Sequence, residues 1–200
     1  MVILTPERLR VWQALIPTLA ELPAAPKRII LHWTGGGPKA NDVDLAHYHY
    51  VVTQPNGAVA RGAHPVSRNM RNVSGTAYAM HTGGFNSYSV GVSFAGMLNA
   101  TPARVYGPYP LVEQQVLSGL AFVAMLCRAW GLDPENPAHL FTHYEAWTIH
   151  GVKGAMNDRK FDITFLQFRP ELRKDDVGPW LRATTGDFLR TLLRQPVPET

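Results

Sequence analysis

Three side chains in this sequence could hold a divalent metal and leave room for a reaction on it: His32, His143 and Asp162. Each is delivered by a segment stiff enough to fix it. His32 closes the aliphatic run Arg28 to Leu31, His143 closes Leu140-Phe141-Thr142, and Asp162 follows Arg159-Lys160-Phe161. Two imidazoles and a carboxylate make a catalytic zinc set, because three protein ligands leave the fourth tetrahedral position open to water. Lys160 is a reason to read them together. In an extended segment, residues two apart project to the same side. A metal-bound Asp162 would therefore carry the Lys160 ammonium beside it, where negative charge develops when water attacks a carbonyl. Each residue alone has a plainer role: a strand-end histidine commonly bonds a nearby carbonyl, and a Lys/Asp pair is an ordinary surface feature.

The elements around these residues read as α/β. Thr5-Pro6-Glu7 has the order of an N-cap, a first-turn proline and a first-turn acid, and predicts a helix with Leu9, Trp12, Ile16 and Leu19 on one face, kinked or split at Pro17. The proline-rich connector Leu22 to Pro26 then feeds the strand that ends at His32, and Gly35-Gly36-Gly37 lets the chain turn after it. Asp42 to His47 predicts a brief helix. Tyr48 to Gln54 and Ala58 to Gly62 flank Asn56-Gly57, which predicts an antiparallel hairpin with a type I′ turn. Val90 to Gly96 reads as a strand, and the apolar positions from Leu111 to Trp130 as a long amphipathic helix closed by Gly131. Cys127 falls in its middle and reads as a small apolar side chain. Ile163 to Arg169 and Trp180 to Leu193 are expected to be helical and packed on the outside. Strands alternating with helices, joined by a hairpin and a crossover, predict one α/β domain with a central mixed sheet flanked by helices.

Composition narrows the function classes. With 200 residues, 46% hydrophobic and 17% charged, the chain can bury a core without staples, and a single cysteine excludes a disulfide scaffold. Met1 to Arg8 shows no export leader and no apolar run is long enough for a membrane helix, so a cytoplasmic protein without signal peptide or stable membrane association is expected. A net charge of +4 and a pI near 9.4 favour an anionic partner, which could be nucleic acid, acidic lipid or an anionic cell-wall polymer. The scattered arginines form no dense basic run, and no nucleic-acid partner is expected.

The blocks IILHWTGGG, YHYVVTQPNGAVARG, AMHTGGFNSYSVGVSFAG, FTHYEAW and DRKFD occur in an order and spacing that resemble the zinc-dependent N-acetylmuramoyl-L-alanine amidases of type 2. That family takes in bacteriophage lysozyme-type amidases, peptidoglycan recognition proteins and cytosolic anhydromuropeptide amidases. The resemblance covers Ile29 to Asp162. It implies an amidase domain over 1–200, with a core at 27–170, an N-terminal helix and connector at 1–26 and a C-terminal helical tail at 171–200. It implies zinc on His32, His143 and Asp162, and catalytic roles for Lys160 and Tyr48. His81, Trp33 and Asn86 would line the substrate, although Trp33 also fits the core and His81 fits plain loop packing equally well. The implied reaction is hydrolysis of the amide between N-acetylmuramic acid and L-alanine in peptidoglycan, by a monomer acting as a phage endolysin once the membrane is permeabilised. The alternatives are a cytosolic recycling amidase and a non-catalytic peptidoglycan-binding module. Two departures stand out. Ser93 occupies the position of a catalytic glutamate in the cytosolic enzymes, leaving Glu145 as the substitute base to consider. Ile163-Thr164 replaces the Pro-Gly that usually follows the third ligand, with His150 as a spare ligand.

Overall fold

The computed structural model describes residues 3–152 and 160–194. The segment between Gly151 and Asn157, read from sequence as a loop, therefore lies mostly outside the described residues, as does Arg159. Five strands form one mixed sheet in the order β3-β2-β4-β1-β5: β1 (Arg28–Trp33), β2 (Tyr50–Val52), β3 (Val59–Arg61), β4 (Ser89–Phe94) and β5 (Leu140–Thr142). β1 runs parallel to both β4 and β5, β2 runs parallel to β4, and only the edge pair β2/β3 is antiparallel. Strands buried on both faces need apolar residues throughout, and β1, β2 and β4 are almost entirely buried.

Alternation assigns the two faces different work. Ile29, Leu31 and Trp33 of β1, with Val90, Val92 and Phe94 of β4, point into the main core. There they meet α3 (Glu113–Trp130), whose residues from Val116 to Cys127 are nearly all buried. Gly131 closes α3 in the left-handed conformation at φ 68°. α1 (Pro6–Gln13), capped by Thr5, packs Trp12 edge-on against Phe122 of α3. The opposite face carries Ile30 and His32 of β1, Gly91 and Ser93 of β4 and Phe141 of β5, and it is this face that bears the polar cluster.

Several expectations are corrected. The hairpin forms, with Val51 opposite Ala60, but residues 53–58 make a six-residue connection and not a type I′ turn. Gly57 takes φ 76°, and a Cβ there would come within 2.3 Å of Ser118, so the close approach of α3 admits only glycine at this point of the turn. Ile163 to Arg169 is irregular chain. Ile163, Thr164, Phe165 and Leu166 are buried in succession, which a one-sided helix cannot achieve. The last helix, α5 (Lys174–Arg194), starts before Pro179 and not at Trp180. Nor is it an external tail: Val177, Leu181 and Leu192 belong to the main core. Asp42–His47 is helical as expected (α2), and α4 (His143–Thr148) follows β5 directly.

Candidate active site

The polar cluster sits at the carboxyl ends of the parallel strands, where open α/β sheets place their ligands. His32 is the fifth residue of β1, in register with Ser93 of β4, while its neighbour Leu31 pairs with Thr142 of β5. Thr142 caps α4: its hydroxyl accepts from the Glu145 amide at 3.2 Å, and the Glu145 carboxylate accepts from the Thr142 amide at 2.8 Å. This box fixes His143 as the first residue of the helix. The amide of Tyr144 donates to the Asp162 carbonyl at 2.8 Å, tying the segment of the third candidate ligand to that of the second. Lys160, Phe161 and Asp162 are not in a strand; Phe161 packs on Trp33 and Phe165, and all three line one groove. The Asp162–Ile163 peptide is cis.

His32, His143 and Asp162 come together, all buried, with their candidate ligand atoms within 4.8 Å of one another. Asp162 Oδ2 lies 3.1 Å from His32 Nδ1 and 3.4 Å from His143 Nδ1. Donors about 2.1 Å from a tetrahedral zinc stand roughly 3.4 Å apart, so the two Asp162–histidine separations suit such an ion, as does the chemistry of the donors. The protonation states fit as well. Burial pushes the His32 imidazole down to about 4, against the pull of Asp162, so it is neutral near pH 7. Burial alone would raise the Asp162 carboxyl, but the charge and hydrogen bonds of His143 and His32 hold it below the usual carboxylate range.

The groove beside this cluster, about 570 Å³ including its open mouth, is lined by Thr34, Gly35, Tyr48, Asn99, Lys160 and Asp162 among others. Tyr48 is half-buried with its ring 5.1 Å from that of His32. Burial, and then the Asp162 charge, raise its phenol well above the usual range. Ser93 is buried beneath it; its hydroxyl has no partner in hydrogen-bonding geometry, although it lies near enough to Tyr48 to favour the phenolate slightly. Trp33 is 7% exposed and packs on Phe161 and Phe165, so it is chiefly a core residue with one edge at the groove.

Two residues expected to line the substrate lie elsewhere. His81 is buried behind His32, with Nδ1 3.3 Å from His32 Nε2 and 3.0 Å from the Thr82 hydroxyl. Its Nε2 has no partner in hydrogen-bonding geometry, though the Ser89 carbonyl is close enough to favour its protonated form. Asn86 accepts from the Thr82 amide at 2.8 Å through its side-chain oxygen and so braces the loop. Glu145 is no free base, because its other oxygen accepts from Arg182 at 2.8 Å. His150 faces the Pro137 carbonyl at 2.9 Å, away from the cluster. Thr82 stands between His81 and His32, and its only signal in the sequence is its neighbour His81.

The sequence profile of the N-acetylmuramoyl-L-alanine amidases matches residues 22–163. The chain belongs to this amidase family. The match spans all three candidate ligands, Tyr48 and Lys160, and ends before α5. Among solved structures, the Ph2119 endolysin from Thermus scotoductus MAT2119 bacteriophage Ph2119 is similar at 19% identity and a TM-score of 0.39, over 66% of this chain and 77% of that one. No curated protein matches. As a peptidoglycan amidase by family, the chain acts on the bond between muramic acid and L-alanine. No helix among its described residues is long and apolar enough to cross a membrane.

Proposed function

We propose that this amidase is zinc-dependent and lytic in the manner of a phage endolysin, with His32, His143 and Asp162 as ligands and Lys160 and Tyr48 acting on the substrate. The donor spacing supports the reading: 3.1 and 3.4 Å from one carboxylate oxygen to two imidazole nitrogens is close to the separation of donors around a tetrahedral ion. A zinc ion bound there would supply an activated water and polarise the scissile carbonyl. The remaining work belongs to the chain. Lys160 holds a positive charge at the groove wall beside Asp162, where the tetrahedral oxyanion forms. Tyr48, kept protonated by its raised pKa, donates a hydrogen bond and orients; it is a poor proton donor at neutral pH. Trp33 contributes an apolar edge to the groove floor, while His81 and Asn86 support the site from behind.

Ser93 supports a wall-lytic enzyme over a recycling one. Its buried hydroxyl stands in the position where the cytosolic enzymes resembled by this sequence use a carboxylate, and a hydroxyl cannot take a proton from water at neutral pH. The protein should release stem peptides from intact sacculi faster than from soluble anhydromuropeptides. A strong preference for the soluble substrate would make it a recycling enzyme. Zinc analysis of the purified protein against Asp162→Asn tests the ligand set.

A further inference from the structure

We infer that Thr82 and His81 are positioning residues that set the orientation and tautomer of His32, so that its Nδ1 is the nitrogen offered to the metal. The inference rests on the proposal that His32 is a ligand. A neutral imidazole carries one proton, so the nitrogen that ligates must be bare and the other must carry the N–H. His32 is completely buried, and a buried N–H without an acceptor is costly. Behind Nε2 stand two polar atoms, Thr82 Oγ1 and His81 Nδ1, each at 3.3 Å, and these two are 3.0 Å from one another. One proton assignment satisfies all three atoms with Nδ1 bare: His32 Nε2–H donates to Thr82, and the Thr82 hydroxyl donates to His81 Nδ1. Without metal, His32 Nδ1–H can instead donate to Asp162 at 3.1 Å, and the Thr82 hydroxyl rotates to donate to Nε2. A hydroxyl serves both states because it both gives and accepts. A methyl group serves neither.

The arrangement is built into the fold. Thr82 is fully buried, and its amide is held by Asn86. Asn69 fastens the loop on either side by donating to the carbonyls of Ala79 and Asn86. Gly91 of β4 makes space for His81: a Cβ there would stand 2.5 Å from the imidazole Cγ. Acceptors behind a metal-bound histidine commonly change metal affinity by 10- to 100-fold when lost.

The test is the zinc affinity of the full chain, measured by competition with a chromophoric chelator, for wild type, Thr82→Val and Thr82→Ser. Thr82→Val should bind zinc roughly 10- to 100-fold more weakly, and Thr82→Ser should stay close to wild type. If the Thr82 hydroxyl served only the fold, Thr82→Val would lower the unfolding temperature of the zinc-free protein and leave its zinc affinity unchanged; unchanged affinity overturns the inference. If Thr82→Val does not fold, nitrogen-15 spectra of the zinc-loaded wild type decide. A protected His32 Nε2–H resonance is expected, and its absence, or protonation at Nδ1, overturns the assignment. A wild type that takes up no zinc overturns the ligand proposal itself and the positioning role with it.

Discussion

At the scale of single residues, the site separates groups that act by charge from groups that act by shape. Lys160→Ala should lower kcat/KM on purified peptidoglycan by on the order of 100- to 1000-fold while zinc stays bound, since an oxyanion donor is lost and no ligand is touched. Tyr48→Phe removes one neutral hydrogen bond and should cost about tenfold; a loss beyond a thousandfold would assign it proton transfer instead. His49 makes the pH dependence legible. Its Nδ1 accepts from the Gly91 amide at 3.0 Å and burial pushes it down to about 4. The folded state thus binds fewer protons than the unfolded one between pH 6.5 and 4. The stability contributed is complete above about pH 6.5 and is lost as pH falls through 4, on the order of 3 kcal/mol for this residue. Denaturant midpoints of the zinc-free protein should fall over that window, and less steeply for His49→Asn, whose side-chain oxygen can replace Nδ1. An equal slope in the variant would acquit His49.

At the scale of elements, α5 is bolted to the turn that carries His143 by a buried ion pair. Arg182 donates to Glu145 at 2.8 Å and lies 3.3 Å from the Leu140 carbonyl, while Gly178 leaves room for the same carboxylate. Arg182→Met leaves Glu145 charged and unpaired and should cost roughly 3–5 kcal/mol in urea unfolding. Pairing it with Glu145→Gln should recover part of that cost, and a single-variant loss under 1 kcal/mol would show the pair to be idle. This contact also marks where sequence reading stopped. The strand-end positions of His32 and His143, the capped start of α1, the brief α2 and the long α3 were legible because period, caps and chain order are local signals. Glu145 looked like a spare base because its partner is 37 residues away, and His81 looked like a groove residue because nothing local says which side of His32 it occupies. The hairpin was legible and its turn was not, since the close approach of Ser118 of α3 to Gly57 is a contact between distant parts of the chain.

At the scale of the whole molecule, the family match ends at residue 163 but the core does not. α5 contributes Val177, Leu181 and Leu192 to the cluster that also holds β1, β4 and α3. Burying each such side chain stabilises by about 1.5–3 kcal/mol, and three of them amount to much of the 5–15 kcal/mol typical of a domain. A chain truncated after residue 173 should lose cooperative unfolding by circular dichroism; an unchanged transition would make α5 the external tail that the sequence suggested. All of this structure serves one site, and one titration tests it. Chelator-stripped protein is titrated with zinc while the release of free L-alanine amino termini from purified peptidoglycan is followed. Release should be negligible without zinc, rise in proportion to added metal and level off at one equivalent. Full release from the stripped protein, or none at one equivalent, would contradict a zinc amidase built on His32, His143 and Asp162.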